Sequence, residues 1–317
     1  MDPPGKGPAT MVGENPVRVD AAEAIARPTG SPKESPQEEE VNTKKSAASD
    51  DEYPLDPALF VLSREEKERA LAVKRAIEGL SDIDITISDF MCAHLAIAGQ
   101  GDLEWAVARV YKMQDVQEEY KFLDSYEEGV VAIQAMMEIL PHGIMSFSCD
   151  PVSGKCAVVM DGVSRLKELW KNPKNVDVTI RGCQYVCRAQ FPSLECVRVG
   201  NTHVFEMEGY EWGRGMTDVK ELSKLTNETQ GTYPTVLNFV RFYNTPTMFN
   251  CVVSMVKRLI PKELAKTFSF GNTYSGGSLR DFYLVPTPEA AYQRAYINLC
   301  RNLKMRFESE KRFSLSN

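Results

Sequence analysis

From Ser63 to Pro141 the apolar residues recur at helical spacing, and beyond Pro141 they gather into short runs with a period of two. The stretch SREEKERALAVKRAIEG opens with Ser63 and has Glu66 three residues on, the signature of a capping box, and it closes on Gly79. SDFMCAHLAIAG, residues 88–99, predicts a second helix. DLEWAVARVYKMQDVQEEYKFL, residues 102–123, predicts a third, with Leu103, Ala106, Val107 and Val110 on one stripe. SYEEGVVAIQAMMEIL predicts a fourth that stops at Pro141.

After that proline the texture changes. GIMSFSCD, a turn at PVSGK, and CAVVMD read as a hairpin that sets Cys149 opposite Cys156; helical SRLKELWKN and VTIRGCQYVCRAQF follow. THVFEMEG, TVLNFVRFYN and KTFSF read as further strands with helices between them, so a mixed, largely parallel sheet with covered faces is expected. One segment is unusual: from Phe242 to Val256 there is no charged residue, and Phe249, Val252, Val253, Val256 and Ile260 fall at spacings of three and four. On periodicity alone this helix either fills a core or works against something apolar. The last apolar stripe, Tyr292, Tyr296, Leu299 and Leu303, belongs to a helix that either packs back on the body or lies on a membrane as a basic amphipathic segment.

Composition adds boundaries. Residues 1–52 contain no Phe, Tyr, Trp or Leu and hold eleven acidic against six basic residues, a balance of −5 out of −7 for all 317. Such a segment is expected to be a disordered acidic tail, because it cannot bury enough surface to offset the entropy of ordering. The chain has no basic footprint for nucleic acid. No run of apolar residues approaches the ~18 needed to cross a membrane, and the N-terminus lacks the pattern of a secretory signal, so an intracellular protein is expected. The cysteines are spread singly, as reduced thiols rather than a disulfide scaffold, and neither they nor His94, His142 and His203 have metal-ligand spacing. No cofactor and no metal site is expected.

Tyr233-Pro234, the strand ending Tyr243-Asn244-Thr245-Pro246, the apolar helix with Phe249 and Lys257, the strand at Lys266 to Phe270, and HVFEMEGYEW at 203–212 occur in an order that resembles the CRAL-TRIO family. These are the lipid-exchange domains of phosphatidylinositol transfer proteins and of tocopherol- and retinal-binding proteins. The likeness covers roughly residues 61–277 and implies an α/β fold: an N-terminal helical subdomain, then a CRAL-TRIO domain whose mixed, largely parallel sheet floors an apolar pocket covered by helices. The domains expected are a tail at 1–52, the helical subdomain at 53–135, the lipid-binding domain at 136–285 and a C-terminal amphipathic helix at 286–317.

The resemblance also implies a role for the apolar helix, as a gate whose face meets acyl chain when shut and bilayer when open. Strand alternation puts Asn201, His203 and Phe205 on one face and Val240 and Phe242 on one face, and the resemblance turns these toward the cavity. Phe249, Val252, Val253 and Val256 complete the expected lipid contacts, and Lys257, Arg258 and Lys262 are the expected membrane contacts. His203 is read two ways, as a ligand contact or as a satisfied buried histidine. Two departures narrow the ligand: Thr235 stands where phosphatidylinositol-binding members have Glu, and Thr267, beside Lys266, where they have Lys. A third is that Gly276-Gly277 follows FSFG almost at once, so part of the pocket wall is shortened.

The function expected is binding of a phospholipid or other lipid and its exchange at membranes by a cytoplasmic, peripherally associating protein. The alternative is a non-transferring lipid-sensing or interaction module, with a protein partner engaged through the N-terminal tail. No nucleophile elbow, Gly-rich phosphate loop or paired metal ligands point to an enzyme.

Overall fold

A computed structural model of the chain describes residues 56–121, 124–140, 144–160, 166–169, 172–209, 228, 232–245, 267–271 and 288–316, all within the unit Glu52–Asn317. After a 3-10 turn at Pro57–Phe60 come α1 (Arg64–Glu78), α2 (Asp89–Ala98), α3 (Leu103–Tyr120) and α4 (Tyr126–Ile139). Each helix starts where a side chain takes up an amide that the first turn leaves unpaired: Ser63, Ser88, Asp102 and Ser125 each accept from the backbone three residues on. At α1 the cap is reciprocal. Glu66 Oε2 accepts from the Ser63 amide at 2.8 Å. Glu66 also receives two hydrogen bonds from Arg198, at 2.8 and 2.9 Å, and these hold its carboxyl down to about 2.

Two strands follow, β1 (Met145–Cys149) and β2 (Cys156–Met160), joined by a turn in which Asp150 accepts from Val152 N and Ser153 Oγ. Gly154 takes φ +71° there, and a Cβ would stand 2.5 Å from the Glu195 carbonyl oxygen. Then come α5 (Leu166–Leu169), α6 (Pro173–Ala189), α7 (Leu194–Val199), β3 (Asn201–Glu206), β4 (Leu237–Tyr243), β5 (Phe268–Gly271) and α8 (Pro288–Arg312). Among the described residues the sheet has five strands in the order β1-β2-β3-β4-β5; β1 pairs antiparallel with β2, and the later pairings are parallel. This is the mixed, largely parallel sheet of the sequence reading.

Two apolar clusters hold the body together. One joins α4, α6 and α8 to a face of the sheet, through Ile133, Met136, Tyr185, Leu299 and Phe307 against Phe147 and Val158. The other joins α1, α2 and α3 to α7 and the end of α6, around Phe90, Leu95, Phe191 and Leu194. α8 packs on β1, α4 and α6. Of the α3 stripe, Ala106 and Val110 are buried, whereas Leu103 is 40% exposed: it stands at the first helical position, and Trp105 covers Gly99 in its place. Residue 135, where the sequence reading ends its helical subdomain, falls inside α4.

Candidate ligand-binding site

The site begins with register. Phe147, Val158, His203 and Val240 are successive cross-strand partners, as are Met145, Met160, Phe205 and Phe242 one step further along the parallel strands. Partners share a face, so these two rows and Asn201 lie on one side of the sheet. That side is also where α6 passes, because Gln190 at its C-terminal cap meets β3. Gln190 Oε1 accepts from His203 Nε2 at 3.1 Å and from Asn201 Nδ2.

The two rows differ in how far they are filled. Phe147, Val158, His203 and Val240 are 3, 7, 5 and 3% exposed; in the second row Met145 on the antiparallel strand is 6% exposed, whereas Met160, Phe205 and Phe242 on the parallel strands are only partly buried and pack against the sheet-side cluster. Phe205 and Phe242 stack with ring centroids 5.1 Å apart and planes 17° from parallel. The open row stands at the carboxyl ends of β2, β3 and β4, the end at which open parallel sheets receive ligands. On β5 the parallel register continues, with Phe268 paired to Val240 and Phe270 to Phe242 along the backbone.

His203 is therefore surrounded by protein, and burial pushes its imidazole down to about 4. Being neutral at physiological pH, it donates from Nε2 to Gln190. Of the expected lipid contacts, Asn201, His203, Phe205, Val240 and Phe242 are brought together on this face. Phe249, Val252, Val253 and Val256, together with Lys257, Arg258 and Lys262, lie outside the described residues.

Two motifs quoted from the sequence meet at the open end. Asn244, at φ +49°, follows β4, and its Nδ2 donates to Glu206 Oε1 at 2.9 Å, while Met207 N donates to the Tyr243 carbonyl. The ends of β3 and β4 are thus tied beside the stacked phenylalanines. Thr235 Oγ1 donates back to the Tyr233 carbonyl at 3.3 Å.

Sequence reasoning missed a buried ionic cluster behind Tyr233-Pro234. Arg306 on α8 is fully buried; it donates to Glu310 at 2.6 Å and to the Phe191 carbonyl at 2.9 Å, and its guanidinium lies 4.0 Å from the Phe90 ring. His94 Nε2 donates to the Pro234 carbonyl at 2.8 Å, which leaves Nδ1 to accept from Arg306 at 3.3 Å. Burial and then Arg306 hold His94 well below its usual range. Arg188 on α6 pairs with both Glu310 and Asp124. Although burial pushes Glu310 up, Arg188 and Arg306 keep it below the usual carboxylate range. The signal was present: Arg306 stands three residues after Leu303, on the apolar stripe itself.

Residues 163–284 match the family model of the CRAL/TRIO domain. This part of the chain is a CRAL/TRIO domain. The crystal structure of Sfh5 is 14% identical over 67% of this chain and 82% of its own, with a TM-score of 0.42. No curated protein sequence matches the chain. A CRAL/TRIO domain implies a lipid or other small hydrophobic ligand. Among the described residues no helix is long and apolar enough to cross a membrane, and no group of three or more His, Cys, Asp or Glu is placed to hold a metal ion.

Proposed function

We propose that the chain binds a lipid with its hydrocarbon along the open row of the CRAL/TRIO sheet, against Phe205 and Phe242, and exchanges it at membrane surfaces without catalysing a reaction. The observation that carries this is the change along one sheet face, from a filled row at His203 to a stacked, partly exposed aromatic pair at the strand ends. Topology supports a cover for that pair. Strands β2 to β5 are parallel and in sequential order, so right-handed crossovers pass over a single face, and α6 marks which face it is. Phe249, Val252, Val253 and Val256 fall in the chain between β4 and β5, and the proposal gives them the role of that cover.

The magnitudes explain why such a cover has to meet a membrane. At ~0.8 kcal/mol per buried CH2, a two-chain lipid with about thirty of them is held by a gross ~24 kcal/mol. It does not leave into water; the bilayer has to receive the chains as the protein releases them. Lys257, Arg258 and Lys262 then serve as contacts for anionic headgroups, and the protein works in the cytoplasm as a peripheral membrane visitor.

Native mass spectrometry of the purified chain, followed by lipid transfer between donor and acceptor vesicles, tests the reading. A bound lipid of one mass class is expected, with transfer slowed at least about tenfold in Phe242→Arg and Phe249→Asp. A ligand-free protein that transfers nothing points instead to the interaction module. Unchanged transfer in both variants removes the proposed site.

A further inference from the structure

Three thiols meet where the β1–β2 hairpin rests on α7. Cys149 ends β1, directly across the strand pair from Cys156 at the start of β2, and its Sγ lies 3.8 Å from that of Cys196 on α7. Other contacts hold the hairpin and α7 together there. Ser193, which caps α7, donates from Oγ to the Pro151 carbonyl at 2.8 Å. Gly154 in the turn leaves so little room that a Cβ would stand 2.5 Å from the Glu195 carbonyl oxygen. None of these thiols takes part in the lipid binding proposed above.

The three differ in surroundings. Cys156 belongs to the sheet-side cluster and Cys196 to the helical one, at 4 and 0% exposed, whereas Cys149 is half-buried and packs against both. Cys149 thus stands on the seam between the clusters, and of the three it is the one a solute reaches first. A bond from it to Cys156 would join strands already tied by their ladder. A bond to Cys196 would staple the seam and close a loop between residues 47 apart in the chain. The contact with Cys149, and then burial, pushes the Cys196 thiol up, and Cys156 chiefly raises Cys149. Both stay protonated at neutral pH, so the pair has the character of a slow latch and not of a reactive nucleophile.

We infer that Cys149 and Cys196 form a reversible disulfide that locks the hairpin onto α7 when the chain meets a low-molecular-weight disulfide. The described structure is the reduced, unlocked form. The sulfurs have to close from 3.8 Å to about 2.05 Å, a movement within reach of side-chain rotation. Cys149 Sγ, as its thiolate, attacks one sulfur of the small disulfide, and one thiol leaves. Cys196 Sγ then attacks Cys149 Sγ; the new S–S bond forms as the mixed one breaks, and the second thiol leaves. The protein gives up two electrons and two protons, and the small disulfide is reduced to two thiols.

The test is incubation of the reduced full chain with excess glutathione disulfide at pH 8, then alkylation in denaturant and peptide mapping by mass spectrometry. Two of the eight cysteines should be lost to alkylation, in a single linked peptide pair holding Cys149 and Cys196, and dithiothreitol should restore both. The locked chain should melt about 5–10 °C higher than the reduced one, because the bond restricts the unfolded chain. Cys149→Ser and Cys196→Ala should each remove the link and the rise in melting temperature, while Cys156→Ser should keep both. Circular dichroism of the reduced variants, matching the parent, separates a lost bond from a lost fold. Eight cysteines still open to alkylation, a link from Cys149 to Cys156, a bond between any other pair, or a locked chain that melts no higher than the reduced one would each overturn the latch. None of these results bears on lipid binding at Phe205 and Phe242.

Discussion

At the scale of single residues, His203 shows how a side chain can be visible in sequence while its surroundings are not. Alternation placed it on the face of Phe205, and the structure gives it Gln190 as a partner from the far end of α6. Its folded value near 4 lies below the usual 6.5, so the unfolded chain takes up a proton first as pH falls. The stability that a neutral His203 contributes is present in full above pH 6.5 and is lost on descent toward pH 4. At pH 5 the loss from this one group is about 2 kcal/mol. Urea unfolding at pH 7 and pH 5 should show that drop, and His203→Gln should reduce it. Arg306 was legible in a different sense: its position on the α8 stripe is plain, but a charge there reads as solvated until Glu310, His94 and the Phe191 carbonyl are seen around it. His94 comes from 212 residues earlier in the chain, a separation that no local pattern reports.

Elements were read more fully than the contacts between them. Capping chemistry is local, so Ser63 with Glu66 announced α1 directly, and the β1–β2 hairpin set Cys149 opposite Cys156 as expected. What stayed hidden is where helices touch. Gly182 on α6 sits against α4 so closely that a Cβ would stand 2.4 Å from Met136 Cβ. At Gly129 on α4 the nearest atoms are Leu303 Cδ2 at 2.6 Å and Tyr185 Cδ1 at 2.7 Å, which are side-chain positions with some freedom to yield. Alanine gains roughly 1 kcal/mol of helix propensity over glycine at either position, and overpacking costs about 1–3 kcal/mol. Gly182→Ala should therefore destabilise by about 1–2 kcal/mol, and Gly129→Ala should stay within about 1 kcal/mol of the parent. Chemical denaturation midpoints of the pair check the ranking; the reverse order would mean that α4 and α6 separate more easily than their spacing implies.

For the molecule as a whole, the order of motifs was enough to indicate the family, because Tyr-Pro, Asn-Thr-Pro and the strands around them are contiguous signatures. The place of the C-terminal helix was open in the sequence, between packing back and lying on a membrane. The structure puts Leu299, Leu303 and Phe307 of α8 in the sheet-side cluster and wraps Arg306 and Leu315 into the helical one. Each large apolar side chain so buried is worth about 1.5–3 kcal/mol, and a typical domain has only about 5–15 kcal/mol to lose. Deleting residues 287–316 should accordingly leave a chain without a cooperative melt by circular dichroism. A sharp transition in that truncated chain would show that the two clusters close without α8.

The seat of Arg306 between Phe90 and Phe191 has a consequence for biosynthesis. A nascent chain emerging from the ribosome would present the sheet and the early helices with their apolar surfaces still uncovered. Neither half could settle until translation has carried α8 into the open. Until then the growing polypeptide would be a natural client for holding chaperones.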